Sequence, residues 1–148
     1  MIEERIVLQE ALRDHMKEHA GETYHRECCG LLFGTVTEDG AYVIRDTVRV
    51  ENRVAEDRRK THYGIDPMEL YGYEKEKREA GNDILGFYHS HPDHPSIPSD
   101  EDIREMVPGM LYLIISVIEG KPTRLRGWKQ DAATGQVREI RIFLTEPY

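Results

Sequence analysis

The sequence predicts one α+β domain that spans residues 1–148, and two observations support this prediction. Strand-like and helix-like segments alternate irregularly, with hairpins expected near both ends, which does not fit a doubly wound parallel sheet. A chain of 148 residues is also long enough to bury roughly two-thirds of its unfolded surface without crosslinks. We therefore expect one core and one functional site.

The first third of the chain predicts a strand, a helix and a hairpin in that order. A short β-rich start leads into Leu8, Leu12 and Met16, whose four-residue spacing predicts a helix. The segments 29–36 ("CGLLFGTV") and 41–50 ("AYVIRDTVRV") flank the turn "EDG". This arrangement predicts two antiparallel strands.

A polar loop and a well-marked helix follow the hairpin. Residues 51–62 are mostly polar, which predicts a loop. Asp66 can then cap a helix with Pro67 in its first position, where the missing N–H costs nothing. Gly81 is the predicted end of this helix.

The second half of the chain predicts buried central strands. The apolar run 84–88 ("ILGFY") is too short for a helix and predicts a strand that ends in "HSHP". Residues 99–106 predict a short helix, and residues 111–118 ("LYLIISVI") have the continuous β-branched character of a central strand. "TRLRGWKQ" and "VREIRIFL" predict the two last strands, which surround the turn "DAATG".

Composition narrows the class of function. With 28 acidic and 20 basic residues the formal charge is −8, which opposes binding to nucleic-acid phosphates. Cys28 and Cys29 are adjacent and cannot link distant parts of the chain, so a secreted disulfide scaffold is not expected. The charged opening contains no apolar run that predicts a signal peptide or membrane span. We expect a cytoplasmic protein whose partners are proteins or small molecules, not membranes or nucleic acids.

The segment 86–102, "GFYHSHPDHPSIPSDED", contains a candidate metal site. Side chains alternate faces along a strand, so His89 and His91 project to the same side and one cation can contact both. Chemistry alone leaves the third ligand open among the carboxylates Asp100, Glu101 and Asp102. Two imidazoles and a carboxylate would leave a tetrahedral Zn²⁺ one position for a catalytic water.

The spacing of this segment resembles the JAMM motif of the MPN domain metallopeptidases, H-[ST]-H-P, six residues, Ser, two residues, Asp. The motif matches without insertion or deletion at His89, Ser90, His91, Pro92, Ser99 and Asp102. The segment 27–34 ("ECCGLLFG") is similar to the family element that begins with the catalytic glutamate. The likeness extends from about Leu8 to about Val117 and is strongest to the compact prokaryotic branch.

The resemblance implies a fold and a zinc centre. The implied fold is a mixed, curved β-sheet flanked by helices, with a layering like that of cytidine deaminases. His89, His91 and Asp102 would hold one Zn²⁺ whose fourth position takes water. Glu27 would accept a proton from that water and pass it to the leaving amine. Ser99 would donate a hydrogen bond to the developing oxyanion.

The resemblance also implies a substrate class. The implied reaction hydrolyses an amide or isopeptide bond at the C-terminal Gly-Gly tail of a ubiquitin-like or sulfur-carrier protein. Two alternatives stay open: a non-catalytic MPN-type interaction module, and a zinc hydrolase of a small-molecule amide. The substrate class comes from the family, whereas the residues themselves indicate only zinc-dependent hydrolysis.

Several of these residues also have an interpretation without a metal. Ser99 and Asp102 form an S-x-x-D capping pattern. We expect Asp102 to leave the cap for the metal, because one carboxylate cannot easily serve both. Ser90 should point away from the two histidines, and no base is arranged around it, so a nucleophilic serine is not expected.

Three further residues are ambiguous. Without the resemblance, Glu27 would be interpreted as an exposed residue before a strand. Cys29 is interpreted as a packing residue of the core, since small buried thiols are common there. His94, between an aspartate and a proline, is interpreted as a solvated loop residue.

Overall fold

The computed structural model describes residues 3–146, and the helices and strands within this range confirm the predicted α+β class. In chain order they are β1 (Arg5–Gln9), α1 (Glu10–Thr23), β2 (Cys29–Val36), β3 (Ala41–Val50), a 3₁₀ turn (Glu56–Arg58), α2 (Pro67–Glu79), β4 (Asp83–Pro92), α3 (Asp100–Glu105), β5 (Leu111–Ile118), β6 (Lys121–Gln130), β7 (Val137–Ile140) and β8 (Ile142–Thr145). Within these residues, no helix is both long enough and apolar enough to cross a membrane.

The strands form one mixed sheet of eight strands in the order β7-β6-β5-β4-β2-β3-β1-β8. β4 runs parallel to β5, and β1 runs parallel to both β3 and β8, while the other neighbouring pairs are antiparallel. The chain passes from β7 at one end of this order to β8 at the other, with only Arg141 between them. The sheet must therefore curve until its two ends approach each other, which confirms the expected curved mixed sheet.

The prediction of one final strand over residues 137–144 is wrong. The chain changes partner at Arg141: Ile140 pairs with Gly127 of β6, whereas Ile142 pairs with Ile6 of β1. The Ile6 N–H donates to the Arg141 carbonyl at 2.9 Å, which holds this crossing in place. The local sequence does not distinguish one strand from two here. The break at Arg141 depends on the curvature of the sheet, which brings β1 next to the last residues.

Helix α2 begins and ends where its sequence signals indicate. The Asp66 carboxylate accepts a hydrogen bond from the Met68 N–H at 2.9 Å, and Pro67 occupies the first turn. Gly81 has a φ of +89°, a conformation that favours glycine, and it follows the last helical residue closely. The helix therefore starts just after the loop 51–66 that borders the candidate site.

Buried side chains form two clusters, one on each face of the sheet, rather than the single core that we expected. Helices cover both faces: α1 contributes Met16 to one cluster, and α2 packs Leu70 against the other. Alternation along the chain places Cys28 in the first cluster and Cys29 in the second. Both thiols are free and buried, which confirms the core interpretation of Cys29. Burial raises the pKa of Cys28 to about 11, so this thiol stays protonated at neutral pH.

Candidate metal centre

Neighbouring antiparallel strands β2 and β4 position the candidate site. Cys29 pairs with His89 across the ladder, and the Ser90 N–H donates to the Cys28 carbonyl at 3.2 Å. The Ser90 hydroxyl accepts from the Cys28 N–H at 2.8 Å. Ser90 is thus buried in the ladder, where it serves structure. Glu27, directly before Cys28, is held beside the end of β4.

The imidazoles of His89 and His91 converge with the carboxylate of Asp102. Their ligand atoms all lie within 4.8 Å of one another. The Asp102 Oδ2 atom lies 2.9 Å from His91 Nε2 and 3.3 Å from His89 Nε2. The two Nε2 atoms are 3.2 Å apart. This is the one cluster among the described residues that could hold a metal ion, and it contains two nitrogens and one oxygen.

The two histidines are oriented by different means. His91 Nδ1 lies 2.8 Å from the Pro95 carbonyl, so Nδ1–H donates there and Nε2 faces the cluster. The His89 ring stacks on Tyr63 with 4.4 Å between centroids, and its Nδ1 has no hydrogen-bond partner within residues 3–146. His89 is 0% exposed, and this burial lowers its pKa, so the ring stays neutral. Both Nε2 atoms therefore face the cluster, where each lies within 3.3 Å of Asp102 Oδ2.

Asp102 serves the helix cap and the cluster at once. Its Oδ2 accepts from the Ser99 N–H at 2.9 Å, while the Ser99 hydroxyl accepts from the Asp102 N–H at 3.0 Å. One carboxylate thus reaches the cap and both histidines together, because capping itself turns it back toward the end of β4. Its binding of a metal stays a prediction. Burial acts to raise the pKa of Asp102, but hydrogen bonds from His89 and His91 outweigh it and hold the pKa well below its usual range.

The competing carboxylates lie elsewhere. Asp100 is exposed, and Glu101 forms ion pairs with His62 and, at 3.6 Å, with Arg58. Neither belongs to the cluster. His94 is exposed, as the loop interpretation expects. The choice of Asp102 among three adjacent acids, which chemistry alone left open, is therefore the one that brings a carboxylate to the two histidines.

Glu27 is buried, so its interpretation as an exposed residue is wrong. The residue is 5% exposed, and Oε1 has no hydrogen-bond partner in the described part of the chain. Burial, together with the charges of Asp102 and Glu101, raises the pKa of the carboxyl to about 9. A buried carboxyl without a partner destabilises a fold, and such groups concentrate at sites where they have a chemical role.

A cavity of about 400 Å³ brings several candidate residues together. Its wall includes Glu27, His91 and Ser99, which are the candidate base, one candidate ligand and the candidate oxyanion donor. The remaining wall is partly apolar and includes Ile97 and Pro98. Glu27, His91 and Ser99 thus share one space, while their roles in catalysis stay predictions.

The metal-free protein is expected to lose stability as pH rises, because of Glu27. The folded state binds the proton of the Glu27 carboxyl more tightly than the unfolded state does, since folding raises its pKa from 4.5 to about 9. The stabilising contribution is therefore fully present below pH 4.5 and is lost as pH rises through about 9. The free energy of unfolding should fall by up to about 1.4 kcal/mol per pH unit in this window.

Urea denaturation of the metal-free protein, kept so by a chelator, measures the free energy of unfolding between pH 4.5 and about 9. Glu27→Gln is the comparison. The glutamine variant has no proton to lose, so its stability should depend less on pH. The difference between the two proteins isolates Glu27 from other titrating groups. The same dependence on pH in both proteins would contradict the buried, proton-binding state of Glu27.

Comparisons with known proteins cover the region that carries the site. The family described as prokaryotic homologs of the JAB domain matches residues 9–131. A desampylase of Haloferax volcanii is 36% identical over 109 residues, which are 73% of this chain and 75% of that protein. Both comparisons extend over most of the chain.

Solved structures show the same fold. A solution structure of a Desulfitobacterium hafniense protein has a TM-score of 0.80 and 32% sequence identity, covering 96% of this chain and 94% of that one. A solution structure of a Salinibacter ruber protein has a TM-score of 0.69 and 31% identity, covering 95% and 92%. The fold that positions the candidate site is thus shared with experimentally determined relatives.

Proposed function

The chain belongs to the family of prokaryotic JAB-domain homologs, and from that premise we propose that it is a zinc-dependent peptidase of protein conjugates. The bond it hydrolyses is an amide or isopeptide bond at the C-terminal Gly-Gly tail of a ubiquitin-like or sulfur-carrier protein. Similarity to a desampylase supports this class of reaction. The observation that carries the proposal is a cluster of three possible ligands beside the buried Glu27 carboxyl, whose Oε1 has no hydrogen-bond partner among residues 3–146.

The donor set fits zinc. Two imidazole nitrogens and one carboxylate oxygen are the protein ligands of open catalytic zinc sites. Asp102 is ionised, and His89 and His91 would bind the metal through Nε2 after these nitrogens release the protons they share with Asp102. Zinc bound there supplies Lewis acidity, which polarises a carbonyl group and acidifies water.

Glu27 is the proton carrier in this proposal. Its carboxylate, at the wall of the shared cavity, takes a proton from a water molecule and delivers it to the nitrogen of the leaving amine. The residue must be ionised to begin, although burial raises its pKa to about 9 in the metal-free protein. A cation among the three ligands favours the charged form and lowers that pKa.

Ser99 is the hydrogen-bond donor to the developing oxyanion. Its oxygen accepts from the Asp102 N–H, while its own proton has no acceptor among the residues that the structure describes. Capping and donation therefore use different parts of one hydroxyl group. The cap holds Ser99 at the wall of the cavity that also contains His91.

Ser99→Ala is expected to lower kcat about 100-fold, because the oxyanion loses a donor. The same variant should lose about 1 kcal/mol of folding stability with the cap. Ser99→Thr keeps the hydroxyl group and should restore most of both quantities. Steady-state kinetics and urea denaturation measure them, and an alanine variant with lowered stability but unchanged kcat would restrict Ser99 to capping.

A thin, extended tail is the part of the proposed substrate that would enter the cavity. Its wall combines the rigid segment around Pro95 and Pro98 with the side chains of Ile97 and His91. Glycine residues let a peptide backbone approach such a wall closely. An extended tail can also gain main-chain hydrogen bonds by the strand-addition mode of peptide recognition.

The proposal is tested with carrier proteins that bear amino-acid adducts on a C-terminal Gly-Gly tail. Zinc-loaded protein should release the adduct, with the mass change that hydrolysis of one amide bond produces. A carrier whose tail ends in Ala-Ala is the matched control and should react far more slowly. Hydrolysis of free small amides without any reaction of the carrier adducts would contradict the proposed substrate class.

A further inference from the structure

We propose that Asn52 is a positioning residue. It fixes the positions of the candidate base, Glu27, and of one candidate metal ligand, His89. The inference rests on the proposed function, because it concerns the same site. Asn52 lies just after β3, at the start of the loop that leads to α2. It touches neither the cluster nor the cavity that Glu27 shares with His91. Its effect therefore passes through other residues.

The Asn52 side chain is fully used in hydrogen bonds. Its Nδ2 donates to the Glu27 carbonyl at 3.1 Å and to the His62 carbonyl at 2.9 Å. Its Oδ1 accepts from the Val54 N–H at 3.2 Å and from the Gly64 N–H at 3.1 Å. Two donors and two acceptor positions are all that a side-chain amide offers. One side chain thus joins the start of β2 to three points of the loop.

Glu27 depends on this loop for its position. Its carbonyl accepts from Asn52, and its N–H donates to the Arg59 carbonyl at 2.5 Å. The carboxyl oxygen Oε1 has no partner within residues 3–146, so no hydrogen bond to that atom fixes its direction. The main chain must then place the base, and both main-chain groups of Glu27 are bonded to the loop.

Tyr63 connects the same loop to the metal ligands. Asn52 binds the residues on both sides of it, His62 and Gly64. Tyr63 in turn stacks on His89, whose Nδ1 has no partner in the described chain. His89 therefore lacks the carbonyl contact that orients His91, and the aromatic stack takes its place. Through His62 and Gly64, Asn52 fixes the main chain on both sides of Tyr63 and so keeps its ring against His89.

Asn52→Ala removes all four hydrogen bonds and should affect both halves of the site. We expect kcat to fall about 100-fold with KM within about threefold, because a displaced base affects the chemical step. The zinc dissociation constant should rise about 10-fold, the size seen when residues that orient metal ligands are lost. In the metal-free protein, the ring-current shift of the His89 proton resonances by Tyr63 should shrink in NMR spectra.

Asn52→Asp separates the two effects and remains informative should the alanine variant not fold. A carboxylate still accepts from the Val54 and Gly64 N–H groups but cannot donate to the Glu27 or His62 carbonyl. The kept bond from the Gly64 N–H still holds the loop beside Tyr63, so the zinc dissociation constant should stay within about threefold of wild type. The lost bond to Glu27 should lower kcat about 100-fold. An aspartate variant with wild-type kcat at full zinc occupancy would overturn the inference.

Asp131→Ala is the matched control, because it also removes side-chain hydrogen bonds to two main-chain N–H groups. The Asp131 carboxylate accepts from the Ala133 and Thr134 N–H groups in the turn after β6. This variant should lower stability without changing kcat or the zinc dissociation constant. Wild-type protein without zinc binding or turnover would refute the proposed function, whereas unchanged His89 resonances in Asn52→Ala would refute the inference alone.

Discussion

Glu27→Gln is expected to abolish measurable turnover while zinc still binds. The amide keeps the size of the carboxyl group but cannot accept a proton from water, so kcat should fall about 1,000-fold or more. Glu27 is not in the cluster of ligands, so the zinc dissociation constant should stay close to that of wild type. Kinetics at zinc saturation and a competition titration with a chelator measure the two quantities.

Glu79→Gln is the matched control for this change, since Glu79 is exposed at the end of α2. It should leave kcat and zinc affinity unchanged. Loss of zinc binding in Glu27→Gln would make Glu27 a ligand, and retained turnover would remove it as the base. Glutamine has the size of glutamate and adds no new charge to the cavity wall, so a change in kcat reports the loss of the proton acceptor.

His89→Ala and Asp102→Asn are each expected to weaken zinc binding about 100-fold or more. Apparent free energies of about 10–16 kcal/mol for structural zinc are shared among four ligands, so each ligand contributes a few kcal/mol. Asp102→Asn is the more informative of the two, because an amide oxygen can still accept from the Ser99 N–H and keep the helix cap. Chelator competition measures both dissociation constants.

Asp100→Ala tests whether the position of the carboxylate matters or only its charge. Asp100 is two residues from Asp102 on the same short helix, yet it is exposed and outside the cluster. Its removal should leave the zinc dissociation constant within about twofold, since screened surface charges contribute little. A loss of affinity equal to that of Asp102→Asn would show that charge alone attracts the metal, against the assignment of Asp102.

The parts of the fold with a local signal could be predicted from the sequence. The continuous apolar run of β5, the proline and cap at the start of α2, and the period-two spacing of His89 and His91 all depend on near neighbours. The break at Arg141 has no such signal. It arises because the curved sheet brings β1 within reach of the last strand.

Some features of the candidate site could likewise be predicted from the sequence, and others depend on the fold. The S-x-x-D pattern predicts a cap, but only the fold shows that the capped carboxylate of Asp102 also faces both histidines. The residues next to Glu27 in the sequence do not predict that it is buried, and only the family resemblance identified it as a site residue. Tyr63 and Asn52 were missed, because each lies in a polar loop and gains its role from contacts with distant residues.

In the proposed function, one zinc ion held by His89, His91 and Asp102 makes this protein a hydrolase. The most direct test adds zinc in steps to metal-free protein while hydrolysis of a Gly-Gly adduct is followed. We predict that activity rises in proportion to zinc and reaches a plateau at about one equivalent per chain. Protein that takes up no stoichiometric zinc and stays inert throughout would contradict the claim and favour a non-catalytic interaction module.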